Sequence, residues 1–523
     1  MALRDQGPAL ATYNAAEDLL SRNLTPERAA RTAYIDVRQG RVTYAELAER
    51  ADRIAHGLRR LGLDREDRLA LCLLDGVDWP AVFLGAMKAG VVPVAISTML
   101  TPDDYDYLLR DSRAKALVVG GELIERFAPI LDGQPYLRHL ITVGGEGGLA
   151  LADLMAGATG PFEAVPTCAD ESGFWQYSSG TSGPPKGVVH VHGALVKSAE
   201  LFAGQVLGLN ADDVIYSAAR LFFGYGMGNS LTFPMTFGAA AILSPERPTP
   251  QSVARILTEH RPTVFFGVPT LYASLLASEH LPRREDVALR LCVSAGETLP
   301  AEIGKRWRAH FGVDIVEGLG STEMLHIFLA NRPGEVRYGV TGRPAPGFEV
   351  RLVDEAGRPT PRGEIGELHV KGPTSAAGYW NKRDKTRETF LGPWTRSADK
   401  FIETESGDFI FCGRSDDMLK VGGIYVAPAE VEAAILTHCG AVEAAVVGRC
   451  DEAGLVKPQA YVVARDKAAA GPELAAEIQQ WVKSKLAPYK YPRWITFVDE
   501  LPKTPTGKIK RYLLRERAEK PED

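Results

Sequence analysis

The sequence predicts an α/β protein: a large N-terminal domain of parallel-type βα subdomains plus a β-rich subdomain, then a small α+β C-terminal domain. Three observations carry this. Short apolar runs alternate with helical-period segments as far as about Val316. After about Arg337 the style changes to short alternating runs rich in Gly and Pro. From about Met418 a fresh alternation of strand-like and helix-like segments begins. The boundary falls in Arg414 to Asp417, giving domains 1–415 and 416–523.

Thr43-Tyr-Ala-Glu46 is a capping box, in which each side chain satisfies a backbone N–H that a helix start leaves unpaired. Behind it Tyr44, Leu47, Ala51, Ile54, Leu58 and Leu61 recur on one face, and Gly62 supplies a left-handed stop. Leu69–Leu74 is an apolar run of strand length. Trp79–Lys88 is helical in pattern, Gly90 ends it, and Val91–Ala95 is the next strand. Strand, helix, strand at this spacing forms a βαβ unit, because parallel strands need a crossover. Val264–Phe266, Leu289–Val293 and Asp314–Val316 continue the series, and Phe348–Val353 and Gly366–Val370 read as hairpin strands. In the last unit Pro428 opens a helix ending near His438, Ala444–Val447 is a strand and Glu473–Leu486 a helix. The charged tail from Ala518 reads as frayed.

Composition narrows the classes. The 523 residues are 45% hydrophobic and 24% charged, with net charge −6 and pI about 6.0, so nothing points to nucleic acid. None of the six cysteines forms a C-x-x-C pair, which suits reduced core thiols. Residues 1–10 include Arg4 and Asp5 and lack an apolar stretch, so no signal peptide is expected. Leu221–Pro245 is the longest uncharged stretch. Its glycines, prolines and hydroxyls predict a buried, loop-rich core segment rather than a membrane span. The expectation is a cytoplasmic monomer or homodimer with no membrane partner.

The strongest local signal is Tyr177-Ser-Ser-Gly-Thr-Ser-Gly-Pro-Pro-Lys-Gly187. Such a loop aims backbone N–H groups, hydroxyls and one ammonium at phosphate oxygens. It lacks Walker A spacing, and no G-x-S-x-G elbow of an α/β-hydrolase occurs in the chain. His190-Val-His192 has no third ligand in view and reads as packing beside this loop.

Four further segments follow in order: Ser294-Ala-Gly-Glu-Thr-Leu299, Gly318-Leu-Gly-Ser-Thr-Glu323, Ser397-Ala-Asp399 with Gly413-Arg-Ser-Asp-Asp-Met-Leu-Lys420, and Pro502-Lys-Thr-Pro-Thr-Gly-Lys-Ile-Lys-Arg511. With the first loop they resemble the motifs of the acyl-adenylate-forming superfamily, over roughly residues 40 to 515. The resemblance implies ATP, Mg²⁺ and coenzyme A as cofactors. It places Ser178, Ser179, Gly180, Thr181, Ser182, Gly183 and Lys186 around the phosphates, with Thr181 also among the catalytic residues. Ala295, Gly296, Glu297, Gly318, Leu319, Gly320, Ser321 and Thr322 fall on the nucleotide. Glu323 is implied as the Mg²⁺ ligand, and Asp399 and Arg414 flank the ribose. Lys508 is implied between carboxylate and α-phosphate, Asp416 as the hinge of a mobile C-terminal lid, and Gly423 beside the pantetheine arm.

The acyl pocket is assigned to the Leu221–Gly228 segment. No Asp or Glu lies between Leu221 and Phe237, which argues against an amino-acid substrate, whose ammonium would need a partner. Phe222–Asn229 with Gly320–Phe328 is similar to the benzoate-CoA ligase branch, which implies Gly224, Tyr225, His326 and Ile327 at the ring. Gly224 stands where that branch is expected to carry Ala. The missing methyl is expected to admit a ring hydroxyl, amino or fluoro group, with Tyr225 or His326 as its partner. Benzoate, 3- or 4-hydroxybenzoate, and transfer to a carrier protein in place of CoA all remain open at this point.

Overall fold

The computed structural model describes residues 11–519 apart from 179–183, 416, 422–423, 453–454, 488 and 504–508. Two large sheets dominate the N-terminal part, each parallel at its centre. The eight-stranded sheet runs in the order Gly378–Tyr379, Lys186–Val191, Ser172–Ser178, Val92–Ala95, Arg68–Cys72, Ala116–Gly120, His139–Val143, Leu149–Ala150. The βαβ unit is present: Arg68–Cys72 pairs in parallel with Val92–Ala95, joined by the helix Asp78–Lys88. Every residue from Trp79 to Lys88 is buried, which explains why its sequence is apolar all round.

The nine-stranded sheet holds Val264–Gly267, Leu291–Ala295 and Ile315–Gly320 side by side in parallel register. Ile327–Ala330 then returns antiparallel against Ile315–Gly320. Strand positions differ by a few residues from the sequence expectation: the third begins at Ile315 and continues through Gly318-Leu-Gly320, so the nucleotide motif is partly sheet rather than loop. The capped helix spans Tyr44–Arg60, with both capping-box hydrogen bonds in place, and it packs on Asp78–Lys88.

Leu221–Pro245 departs from expectation. It is not loop-rich but mostly helical: Gly224–Met227, a wide turn at Gly228–Thr232 and Phe233–Phe237, before the strand Ala240–Leu243. Burial decides this, because a buried backbone must pair its own N–H and C=O groups whatever the propensity of glycine.

Glu349–Val353, Ile365–Lys371, Trp394–Glu403, Phe390–Leu391 and Phe409–Arg414 form the β-rich sheet. Beyond it, Ala441–Cys450, Val456–Ala464 and Trp494–Phe497 make a three-stranded sheet, flanked by Pro428–Leu436, Pro472–Lys485 and Arg511–Glu519. The last helix runs past Ala518, which is buried, so the fraying expected from that residue begins no earlier than Glu519. No helix among the described residues is long and apolar enough to cross a membrane.

Replacing Thr43 by Ala removes the cap acceptor for the Glu46 N–H and is expected to cost about 1 kcal/mol. A lowered thermal midpoint with unchanged secondary structure at 25 °C is the expected outcome; an unchanged midpoint would show that packing alone holds the helix start.

Candidate active site

The glycine-rich loop is the tip of a hairpin. Ser172–Ser178 and Lys186–Val191 pair antiparallel with Ser178 opposite Lys186, so both ends of the loop are fixed in register. Ser178 Oγ is buried without a protein partner. Tyr177 and Trp380 both bond Asp111, through its carboxylate at 2.7 Å and its carbonyl at 2.8 Å, and Tyr107 OH donates to the Pro185 carbonyl at 2.9 Å.

Beside this hairpin lies the turn carrying Glu323. The Tyr379 hydroxyl donates to Glu323 Oε1 at 2.8 Å, and Lys186 Nζ sits 4.5 Å from the Tyr379 ring centroid. Lysine, tyrosine and glutamate therefore form one contiguous cluster. The turn is sewn down on both sides: His190 Nε2 donates to the Thr322 carbonyl at 2.8 Å, Ala376 N to the Glu323 carbonyl at 2.8 Å, and Thr374 Oγ1 to the Met324 carbonyl at 2.8 Å. Ser321 caps the turn by accepting from Met324 N. His192 is committed elsewhere, accepting from Ala15 N at 3.2 Å.

Leu325 has φ 69° and ψ −53°, and His326 N donates to the Met324 carbonyl at 2.8 Å. This is the rare, strained γ-turn, and such strain persists only where surrounding bonds over-determine it. The turn aims the Leu325 carbonyl at Gly224. A Cβ on Gly224 would stand 2.5 Å from that oxygen, and one on Gly320 would stand 2.6 Å from the His326 oxygen. The direction a methyl at 224 would take thus ends on a backbone oxygen, so what approaches from the ring on that side meets a hydrogen-bond acceptor rather than open space.

Tyr225 and His326 also differ from expectation. The Tyr225 hydroxyl donates toward the Gly267 and Val293 carbonyls at 3.3 and 3.2 Å, so its proton is spent on the sheet. His326 is walled by Phe202, Phe233 and Tyr225, with ring centroids 5.6, 4.6 and 5.6 Å away. Burial pushes its pKa down to about 3, so it is neutral. Its Nε2 lies 3.3 Å from two acceptors, the Tyr225 carbonyl and Asn229 Oδ1, which places the proton there. Ile327 opens the strand behind, against Gly318.

On the nucleotide side, Ala295 ends its strand level with Gly318, and Gly296 turns out of it at φ +93°. Leu319 pairs with Leu329 one residue further along. Glu297 lies near enough to Arg511 to raise the latter's pKa, behind Glu432 in effect. Asp399 and Arg414 face each other across paired strands, with Arg414 Nη1 3.3 Å from Asp399 Oδ1. Ser179, Gly180, Thr181, Ser182, Gly183, Asp416, Gly423 and Lys508 lie outside the described residues.

Three side chains that sequence reasoning missed support this arrangement. Tyr379 had no signal beyond lying next to Trp380. Asp75 accepts from Leu221 N at 3.2 Å, at the start of the acyl segment, and burial pushes it up to about 6. Glu317 accepts from Leu299 N at 3.2 Å, tying two nucleotide segments together, and burial pushes it up to about 8.

The chain belongs to the AMP-binding enzyme family, whose model matches residues 22–380 and whose C-terminal domain model matches residues 430–508. Among individual proteins, it is 54% identical to the benzoate–CoA ligase of Thauera aromatica, over 96% of each chain. It is 48% identical to the 4-hydroxybenzoate–CoA/benzoate–CoA ligase of Rhodopseudomonas palustris, over 99% of this chain and 95% of that one. The solved benzoate CoA ligase from Burkholderia xenovorans LB400 superposes with a TM-score of 0.91 at 51% identity, covering 96% of this chain and all of that one.

Glu317 gives a pH test. Below about pH 4 the folded and unfolded chains both hold its proton. As pH rises the unfolded chain releases it first, so the folded state is penalised increasingly up to about pH 8, above which both states are ionised and the penalty levels off. Glu317→Gln, a mimic of the protonated form, is expected to gain thermal stability relative to the parent as pH goes from 5 to 9. A constant difference across that range would refute the raised pKa.

Proposed function

We propose that the chain is an ATP-dependent aryl-CoA ligase that converts benzoate to benzoyl-CoA through benzoyl-AMP, releasing AMP and pyrophosphate. The observation that carries this is full-length similarity to a benzoate–CoA ligase, combined with an acyl segment that holds no carboxylate from Leu221 to Phe237. In the first step a carboxylate oxygen attacks the α-phosphorus and the bond to the β-phosphate oxygen breaks, so pyrophosphate leaves. In the second step the CoA thiolate attacks the acyl carbon, and AMP leaves with the former carboxylate oxygen.

Both partners of the first step are anions, so fixed donors and cations lower the barrier. The glycine-rich loop with Lys186 holds the β- and γ-phosphates. Lys508 bridges carboxylate and α-phosphate, and Asp399 with Arg414 holds the ribose. Glu323 fits a magnesium ion that arrives with the nucleotide: Tyr379 orients one carboxylate oxygen, and no group of three His, Cys, Asp or Glu occurs among the described residues to form an all-protein cage. When bound, that ion would neutralise phosphate charge. The lid is residues 416–523, pivoting at Asp416. Support comes from Asp417, whose carboxylate takes Arg515 at 2.5 Å and therefore travels with the terminal helix, leaving the pivot on its N-terminal side.

Lys508→Ala is expected to slow benzoyl-AMP formation by about 10²–10³-fold while affecting thioester formation from supplied benzoyl-AMP far less. Equal loss in the two half-reactions would remove the lysine from the first step. Asp416→Pro fixes φ at the pivot and is expected to spare pyrophosphate exchange while depressing thioester formation; an unaltered second half-reaction would move the hinge elsewhere. Absence of benzoate-dependent pyrophosphate exchange in the parent enzyme would overturn the function itself.

A further inference from the structure

Two acceptor oxygens, one from a side chain and one from the backbone, converge beside Gly224. Gln176, near the end of the strand that leads into the glycine-rich loop, is 2% exposed. Its Nε2 faces Met227 Sδ at 3.9 Å, and since a thioether sulfur only accepts, the amide is oriented with Oε1 on the other side. That Oε1 has no donor among the described residues, and it lies 3.1 Å from where a Cβ on Gly224 would stand. The Leu325 carbonyl, held there by the strained turn, lies 2.5 Å from the same point. His326, next to Leu325 in sequence, keeps its proton on Nε2, and its buried Nδ1 has no partner among the described residues. Tyr225, the one hydroxyl in the segment that could have donated, is spent on sheet carbonyls.

Most buried side-chain acceptors in native proteins are paired, so an orphaned one beside the acyl segment calls for an explanation, and a donating ligand supplies one. We propose that Gln176 is a specificity-determining residue of the acyl pocket: its Oε1, with the Leu325 carbonyl, accepts a hydrogen bond from a hydroxyl or amino group on the aromatic ring. This rests on the proposed aryl-CoA ligase activity and extends its substrate class to ring-hydroxylated or ring-aminated benzoates. It also reassigns the polar partner, from Tyr225 to a glutamine on a different sheet. An unsubstituted ring leaves Oε1 unpaired, as does a fluorine, which has the size of a hydroxyl but no proton to give.

The test is a set of kcat/KM values, read as AMP release with CoA, for benzoate and for the 2-, 3- and 4-isomers of hydroxy-, amino- and fluorobenzoate. At one ring position the hydroxy or amino compound is expected to exceed its fluoro counterpart by about tenfold, the worth of one neutral hydrogen bond. Gln176→Met, which keeps the length and removes the acceptor, is expected to erase that ratio while benzoate falls less. If hydroxy and amino compounds match or trail their fluoro counterparts at every position in the parent enzyme, the proposal fails, whether or not the variant folds. A ratio that survives Gln176→Met also overturns it. Loss of benzoate turnover in the parent would instead strike the ligase reading, and so the two failures are separable.

Discussion

The junction between the two large sheets is the constraint on which the site depends. The turn at Thr322–His326 belongs to the edge of the nine-stranded sheet, yet it is held by His190, Thr374, Ala376 and Tyr379 from the eight-stranded sheet and its approach. Four contacts on a five-residue turn over-determine its conformation. That is what permits a non-glycine residue, Leu325, to sit at φ 69°. The same turn presents a carboxylate on one side, at Glu323, and a carbonyl and an imidazole on the other. The spacing between the two sides is set by backbone rather than by flexible side chains.

Electrostatics follow from the same junction. Apolar packing around His190, His192 and His326 holds all three imidazoles neutral, with pKa values pushed down to about 4, 4 and 3. Buried carboxyls shift the other way, as Asp75 and Glu317 do. At pH 7 Glu317 therefore keeps its proton, whereas Asp75, beside Arg220, is largely ionised. Charges in such surroundings act on one another over greater reach than in water. This favours concentrating the cations on the loops above, where an anionic pair must be brought into contact.

The small C-terminal domain is organised by its own short-range ion pairs. Arg511 takes both oxygens of Glu432 at 2.8 Å, and Glu432 also accepts from Val446 N at 2.7 Å, so the terminal helix, the helix from Pro428 and the three-stranded sheet form one unit. Asp417 joins that unit through Arg515. These pairs are partly exposed, so their worth lies in geometry more than in stability.

The alternation of apolar strands and amphipathic helices, the capping box at Thr43 and the five ordered motifs were legible in the sequence, because they depend on local period, local hydrogen bonding and residue type. They determined the layered α/β architecture, the family and the segments that meet at the site. What only the tertiary structure decided is which atoms come together around the Leu221–Gly228 segment. Leu221–Pro245 became helical because burial forces backbone pairing on a glycine-rich stretch. Tyr225 donates its hydroxyl hydrogen bond to sheet carbonyls 42 and 68 residues away. Gln176 came to stand over Gly224 from another sheet, 48 positions earlier in the chain. Such contacts leave no period and no motif, since hydrogen-bond direction across a core is fixed by packing between distant segments, and no local pattern of residues encodes it.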